Sequence, residues 1–153
     1  MDNAVDVALQ RFKTGYNCCQ SVLMTLADRY GLDEALAARL ATAFGVGMAR
    51  GGTCGAVSAA VMVLGLAHGG GGTDGMAAKL ATYARAKLFY SRFIERHGTL
   101  ICRDLLRLDP STPDGLAKAR QENLFMTTCI PLVADAVELV QTILDEAAVA
   151  SRP

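Results

Sequence analysis

Five cysteines, at positions 18, 19, 54, 102 and 129, are the residues of this 153-residue chain best suited to redox or metal chemistry. A thiolate is the nucleophile of disulfide exchange, and it is also the soft ligand that zinc and iron–sulfur clusters take. In a reducing compartment structural disulfides are rare, so clustered thiols there point to redox chemistry or metal binding. The chain has no C-x-x-C pair, no haem-attachment motif and no paired zinc pattern. Local spacing therefore selects no ligand set, and the chemistry must come from thiols that the fold brings together.

The stretch Arg50-Gly51-Gly52-Thr53-Cys54-Gly55-Ala56 joins a glycine pair, a capping residue and a thiol at a helix start. Thr53 reads as the N-cap, which puts Cys54 in the first turn. There the unpaired N–H groups and the positive end of the helix dipole favour a thiolate. Cys54 is accordingly expected to have the lowest pKa of the five and to be the reactive thiol. The dipole alone brings a thiol from about 8.5 to roughly 7.5, so full activation needs a second group. Arg50 is the nearest cation in sequence, and His97 or a bound metal are others that folding could supply. Gly51, Gly52 and Gly55 are the positions where a cofactor could approach the backbone.

The elements that must position these thiols read as helices throughout. Asp2 or Asn3 caps a first helix to about Phe12, ended by Thr14-Gly15. A second starts near Asn17 with Cys18 at its head. Its apolar stripe Cys19, Val22, Leu23, Leu26 and Tyr30 has helical spacing, and Gly31 stops it. Asp33 caps a third helix to about Phe44. The uncharged run Cys54 to Ala67 is a buried central helix, its alanines letting another element approach, and is too short to span a membrane. Thr73 or Asp74 caps a long helix to about Arg96, Thr99 caps a short one holding Cys102, and residues 109–115 read as a loop. Pro131 places the start of the last helix near Ile130, with Cys129 at its edge. Strand alternation is not sustained anywhere; Val61–Leu64 is strand-like only in isolation. The expected fold is all-α, a single-domain helical bundle of about five to seven helices over residues 1–153.

Cys18, Cys54, Cys102 and Cys129 thus each fall near a different helix start, a coincidence that core filling does not predict. Cys19 is different, since it lies on an apolar stripe and reads as a small core residue. The glycine loop from Gly45 to Gly52 follows a helix rather than a strand and no lysine follows it, so a phosphate cradle is disfavoured. His68 and His97 end helices before glycine and read as C-terminal caps. The basic face of the long helix, with Lys79, Arg85, Lys87, Arg92 and Arg96, reads as solvated, although the acids of the last helix could meet it. Fifteen basic residues balance fifteen acidic ones, so net charge gives no attraction to nucleic acid or to an anionic membrane. The opening residues lack a basic segment and an apolar segment, so a cytoplasmic location is expected.

Gly15-Tyr16-Asn17-Cys18 with Gln20, then Cys54-Gly55-Ala56, then single cysteines at 102 and 129, resemble the C_GCAxxG_C_C family over nearly the whole chain. The resemblance makes Cys18, Cys54, Cys102 and Cys129 the four family cysteines and leaves Cys19 outside. Ala59 stands where the family's block ends in glycine. What it implies is thiol chemistry without a named substrate. The first expectation is therefore a redox-active protein using cysteine thiol/disulfide chemistry centred on Cys54, a thiol oxidoreductase if it is an enzyme, with another of the four resolving. An alternative is a metal ion or iron–sulfur cluster held by all four thiolates, and a second is a non-catalytic helical interaction protein, a homodimer through its alanine-rich helices being one form. A redox partner protein or a small thiol is the implied partner. For either of the first two readings the four sulfurs must converge.

Overall fold

The structure is a computed structural model that describes residues 3–72 and 75–152. Eight α-helices run through the described residues: α1 Ala4–Lys13, α2 Cys18–Leu26, α3 Glu34–Leu40, α4 Gly55–His68, α5 Gly75–His97, α6 Cys102–Leu106, α7 Pro113–Gln121 and α8 Ile130–Ala150. The all-α expectation holds, and Val61–Leu64 lies within α4. The helix count exceeds the expected range by one.

The additional helix is α7, which takes in residues that read as loop. Thr112 caps it through Gly115 N–H at 3.0 Å and Pro113 opens it. A proline costs nothing at the first helical position, because the N–H it lacks would be unpaired there anyway. The caps at Asn3 and Asp33 are as expected, each accepting an N–H three residues on at 2.9 Å. Asp2, Thr73 and Asp74, the other expected caps, lie outside the described residues. Two expected caps are corrected. Thr53 pairs with Ile101 in an isolated antiparallel bridge and leaves the N-cap position of α4 to Cys54. Thr99 accepts from Ile101 N–H at 3.1 Å, and Ile101 rather than Thr99 precedes α6.

The core forms where the uncharged faces of α2, α4, α5 and α8 meet. Cys19, Val22, Leu23 and Leu26 of α2, Val57, Val63 and Leu64 of α4, Phe89 and Phe93 of α5, and Val133, Val137 and Val140 of α8 are fully buried. Each such side chain contributes about 1.5–3 kcal/mol by leaving water. Ala56, Ala59 and Ala60 carry only a methyl group, which lets α2 and α8 both pack directly on α4. The basic face of α5 is paired only toward its C-terminal end, while Lys79 and Lys87 are exposed as expected and Arg85 donates to Ala81 O. Arg92 meets Glu146 at 3.0 Å, Arg96 meets Asp135 at 3.2 Å and Glu138 at 3.4 Å, and His97 Nε2 meets Asp135 at 2.8 Å. These contacts register α5 on α8.

The helical run Phe125–Ala150 is long and apolar enough, by length and composition, to cross a membrane. Half of that stretch is buried inside the protein, against α1, α4 and α5, and Asp135, Glu138 and Glu146 on its other face pair with α5. That is the arrangement of a core helix.

Candidate functional site

The four cysteines singled out by helix position line one cavity of about 400 Å³, and Cys19 does not. Cys18 opens α2, in a frame fixed by reciprocal capping. Gln20 N–H donates to Asn17 Oδ1 at 2.8 Å while Asn17 N–H donates to Gln20 Oε1 at 3.0 Å. Both side chains then reach across to the end of α3, Asn17 Nδ2 to Thr42 O at 3.0 Å and Gln20 Nε2 to Ala38 O at 3.0 Å. The Asn-x-x-Gln spacing was the sequence signal for this box.

Cys54 and Cys102 are placed by the short antiparallel pairing around Thr53 and Ile101. Cys54 N–H donates to Leu100 O at 2.8 Å and Cys102 N–H donates to Gly52 O at 2.6 Å. The two cysteines each follow a bridge residue, so they sit on the same side of this pairing as diagonal neighbours. Cys129 comes just before α8, but the chain is already helical there, with φ −72° and ψ −31° after a wide turn through Phe125–Cys129. All four cysteines thus stand at or beside a helix start as expected, but the helical turn that precedes α8 makes Cys129 a continuation of helix rather than a free helix end.

The loop that brings Cys54 in is held in an unusual backbone. Val46, Gly47, Met48 and Ala49 all have φ between 55° and 61°. A left-handed residue other than glycine costs about 1–2 kcal/mol, so this turn stores strain beside the cavity that Val46 helps to line. Gly47 has no substitute in it: a Cβ there would lie 2.6 Å from Gly52 backbone atoms and 2.7 Å from Cys102 Cβ.

Gly55 explains how Cys18 reaches α4. A Cβ on Gly55 would lie 2.6 Å from Cys18 Sγ, 2.8 Å from Phe44 O and 3.0 Å from Cys19 N, so only glycine lets the sulfur close on the helix end. In that position the Cys54 thiol and the backbone N–H groups of Gly55, Cys19 and Ala56 face the Cys18 sulfur and favour its thiolate. Two of those N–H groups belong to the first turn of α4 and one to the first turn of α2, where helices leave donors unpaired. The Cys54 donor and these N–H groups bring the Cys18 thiol from 9.0 down to about 7 against the opposing effect of burial.

Cys54 is corrected by the same geometry. It is 4% exposed, it gives its proton toward Cys18, and burial adds to the cost of ionising it, so its pKa lies well above the ordinary range. The lowest pKa belongs to Cys18. Burial, then the charge on Cys18, pushes Cys102 and Cys129 up to about 12. The core cysteine, Cys19, is fully buried and also pushed up to about 12 by burial. Arg50 is exposed and acts on none of these thiols, and neither does His97, which is engaged with Asp135. His68 Nε2 is buried without a hydrogen-bond partner among the described residues.

Gly51, Gly52 and Gly55 do not line the cavity. Gly51, at φ 67°, packs against Asp109, and Gly52 packs against Gly47 O. All five cysteines are free thiols. Among the described residues no three of histidine, cysteine, aspartate and glutamate stand close enough to hold a metal ion together.

A model of the family described as "Putative redox-active protein (C_GCAxxG_C_C)" matches residues 16–143, a span that takes in all five cysteines. No curated protein and no solved structure matches the chain.

Proposed function

The chain belongs to the C_GCAxxG_C_C family, described as redox-active, and from that premise we propose a thiol–disulfide redox protein in which Cys18 attacks and Cys54 resolves. The observation that carries this reading is the seat of the Cys18 sulfur against the first turn of α4, so close that a Cβ on Gly55 would lie 2.6 Å from it, with Cys54 at the N-cap of that helix and both thiols lining one cavity. An attacking thiol is most effective when its pKa is close to the ambient pH, which is where Cys18 lies.

The Cys18 thiolate attacks one sulfur of an oxidised substrate, forming a mixed disulfide and expelling the other half as a thiolate. That thiolate takes the proton of Cys54. The Cys54 thiolate then attacks Cys18, closing a Cys18–Cys54 disulfide and releasing the second half of the substrate, which is protonated from water. The protein loses two electrons and the substrate gains them. Cys102 and Cys129 line the same cavity as protonated thiols. A reducing, cytoplasmic setting would return the pair to the dithiol. The metal and cluster readings draw no support from the spacing of the possible ligands.

Peptide mapping tests the assignment. Limited iodoacetamide at pH 7 should label Cys18 first, and one equivalent of a disulfide oxidant should yield a Cys18–Cys54 linkage. Labelling of Cys18 no faster than that of buried Cys19 would remove the activated thiol from this protein.

A further inference from the structure

The cavity around the four cysteines has an asymmetry that bears on its substrate. Its walls are largely apolar, with Phe12, Leu105, Leu116, Phe125 and Leu132 among them. Among the described residues Arg120 is the only lysine, arginine, histidine or acidic residue that lines it. Arg120 lies near the C-terminus of α7, is exposed, and makes no ion pair among the described residues, while its neighbour Lys118 is paired with Glu122. An unpaired guanidinium at the edge of an apolar cavity is a ready binding group for a carboxylate, sulfonate or phosphate.

The reactive pair is also recessed. Cys54 is 4% exposed and Cys18 is only half-buried. A cavity of about 400 Å³ is in the range that encloses a small molecule. A folded protein presenting a surface disulfide would have to insert a segment into it.

We propose that this cavity takes a small organic disulfide with an apolar body and one anionic group, the anion held by Arg120 and the disulfide presented to Cys18. The assignment rests on the thiol–disulfide reading above and follows the same balanced exchange. Cys18 and Cys54 end as a disulfide, and the substrate leaves as two thiols, one of which carries the anionic group. The guanidinium also offsets the repulsion between that anion and the Cys18 thiolate deeper in the site.

Two aromatic disulfides of similar size provide the test, dithiobis-nitrobenzoate with a carboxylate on each ring and neutral dithiodipyridine. Their rates at Cys18 are measured for the reduced full-length protein, with the modified residue confirmed by mass spectrometry. The readout is the ratio of the anionic to the neutral rate. Arg120→Gln should lower it about tenfold, equivalent to ~1.4 kcal/mol, and Arg120→Lys should lower it less. Arg120 is exposed, so circular dichroism should be the same for all three proteins. A ratio unchanged by Arg120→Gln overturns the proposal and leaves the thiol reading standing. Failure of both reagents at Cys18 in the unaltered protein overturns the two together.

Discussion

A sulfur anion at Cys18 is held by one thiol donor and three backbone N–H groups, against a burial cost that opposes it. Bringing a thiol from 9.0 to about 7 requires roughly 3 kcal/mol of preference for the thiolate. A helix terminus supplies about 0.3–1 kcal/mol, up to roughly 2 in a partly buried setting, so one helix end falls short and two reach that figure only near their upper limit. The Cys54 thiol is the largest single influence lowering Cys18, which also explains why Cys54 itself resists ionisation. Removing that donor should therefore move the pH midpoint of Cys18 alkylation upward from about 7 toward 9.0 in Cys54→Ala, whereas Cys54→Ser, which keeps an O–H donor, should hold it low. The midpoint is the appropriate measurement, because a thiol with a higher pKa is intrinsically more nucleophilic and the rate at any single pH partly conceals the change. An unaltered midpoint in Cys54→Ala would mean that the N–H groups suffice and that Cys54 has no part in activation. That four cysteines share one part of the fold is legible in the sequence, and they line one cavity, but the assignment of the thiolate is not. Cys54 was read as the activated thiol because its own helix start was visible, whereas the occupant of that helix end comes from a different element, α2.

At the level of elements, the site exists because α2 and α4 begin at one place, and Gly55 is what permits it. Adding a methyl group there puts a carbon against Cys18 Sγ, Phe44 O and Cys19 N, two of them backbone atoms that cannot turn aside. Gly55→Ala should cost about 1–3 kcal/mol in urea unfolding. It should also raise the alkylation midpoint of Cys18 by lifting the sulfur off the N–H groups. A loss of stability with an unmoved midpoint would show that the sulfur does not depend on the α4 terminus. The same region shows what can be read locally and what cannot. Asn3 and Asp33 cap as written, since a cap needs only residues three apart. Thr53 fails as a cap because its backbone is committed to Ile101, a partner far along the chain that no local pattern announces. Thr112-Pro113 carried a helix-start signal, but the second proline at 110 and Gly115 made the segment read as loop. Gly51 and Gly52 are positions where a cofactor could approach the backbone, and in the fold they pack against Asp109 and Gly47 O.

Over the whole molecule, neutrality in the composition conceals a pairing of charge between the C-terminal end of α5 and α8 at the surface, while the buried residues described are apolar apart from Ser21. The core around α4 is correspondingly intolerant of charge, and Cys19 measures that intolerance. It is fully buried, and its thiol is pushed from 9.0 up to about 12 by burial first and by the charge on Cys18 second. Between those two values the unfolded chain releases the Cys19 proton while the folded protein keeps it. The unfolded state then binds fewer protons, so stability falls as pH rises, by up to about 1.4 kcal/mol per pH unit for this one thiol. Below 9.0 both states keep the proton and the contribution vanishes. Cys19→Ala loses the packing of one buried sulfur and should be less stable at neutral pH by about 1 kcal/mol or more. It also loses the proton that the unfolded state would release. Urea unfolding of the reduced protein and of this variant, followed from about pH 7 to about pH 11, should therefore give curves that run parallel up to about pH 9 and converge above it. Lysine and tyrosine titrate in the same range but are common to both chains, so the difference between the curves isolates position 19. Curves that stay parallel to the alkaline end would mean that Cys19 ionises within the fold, and that the interior beside the reactive pair is far more open to water than its burial implies.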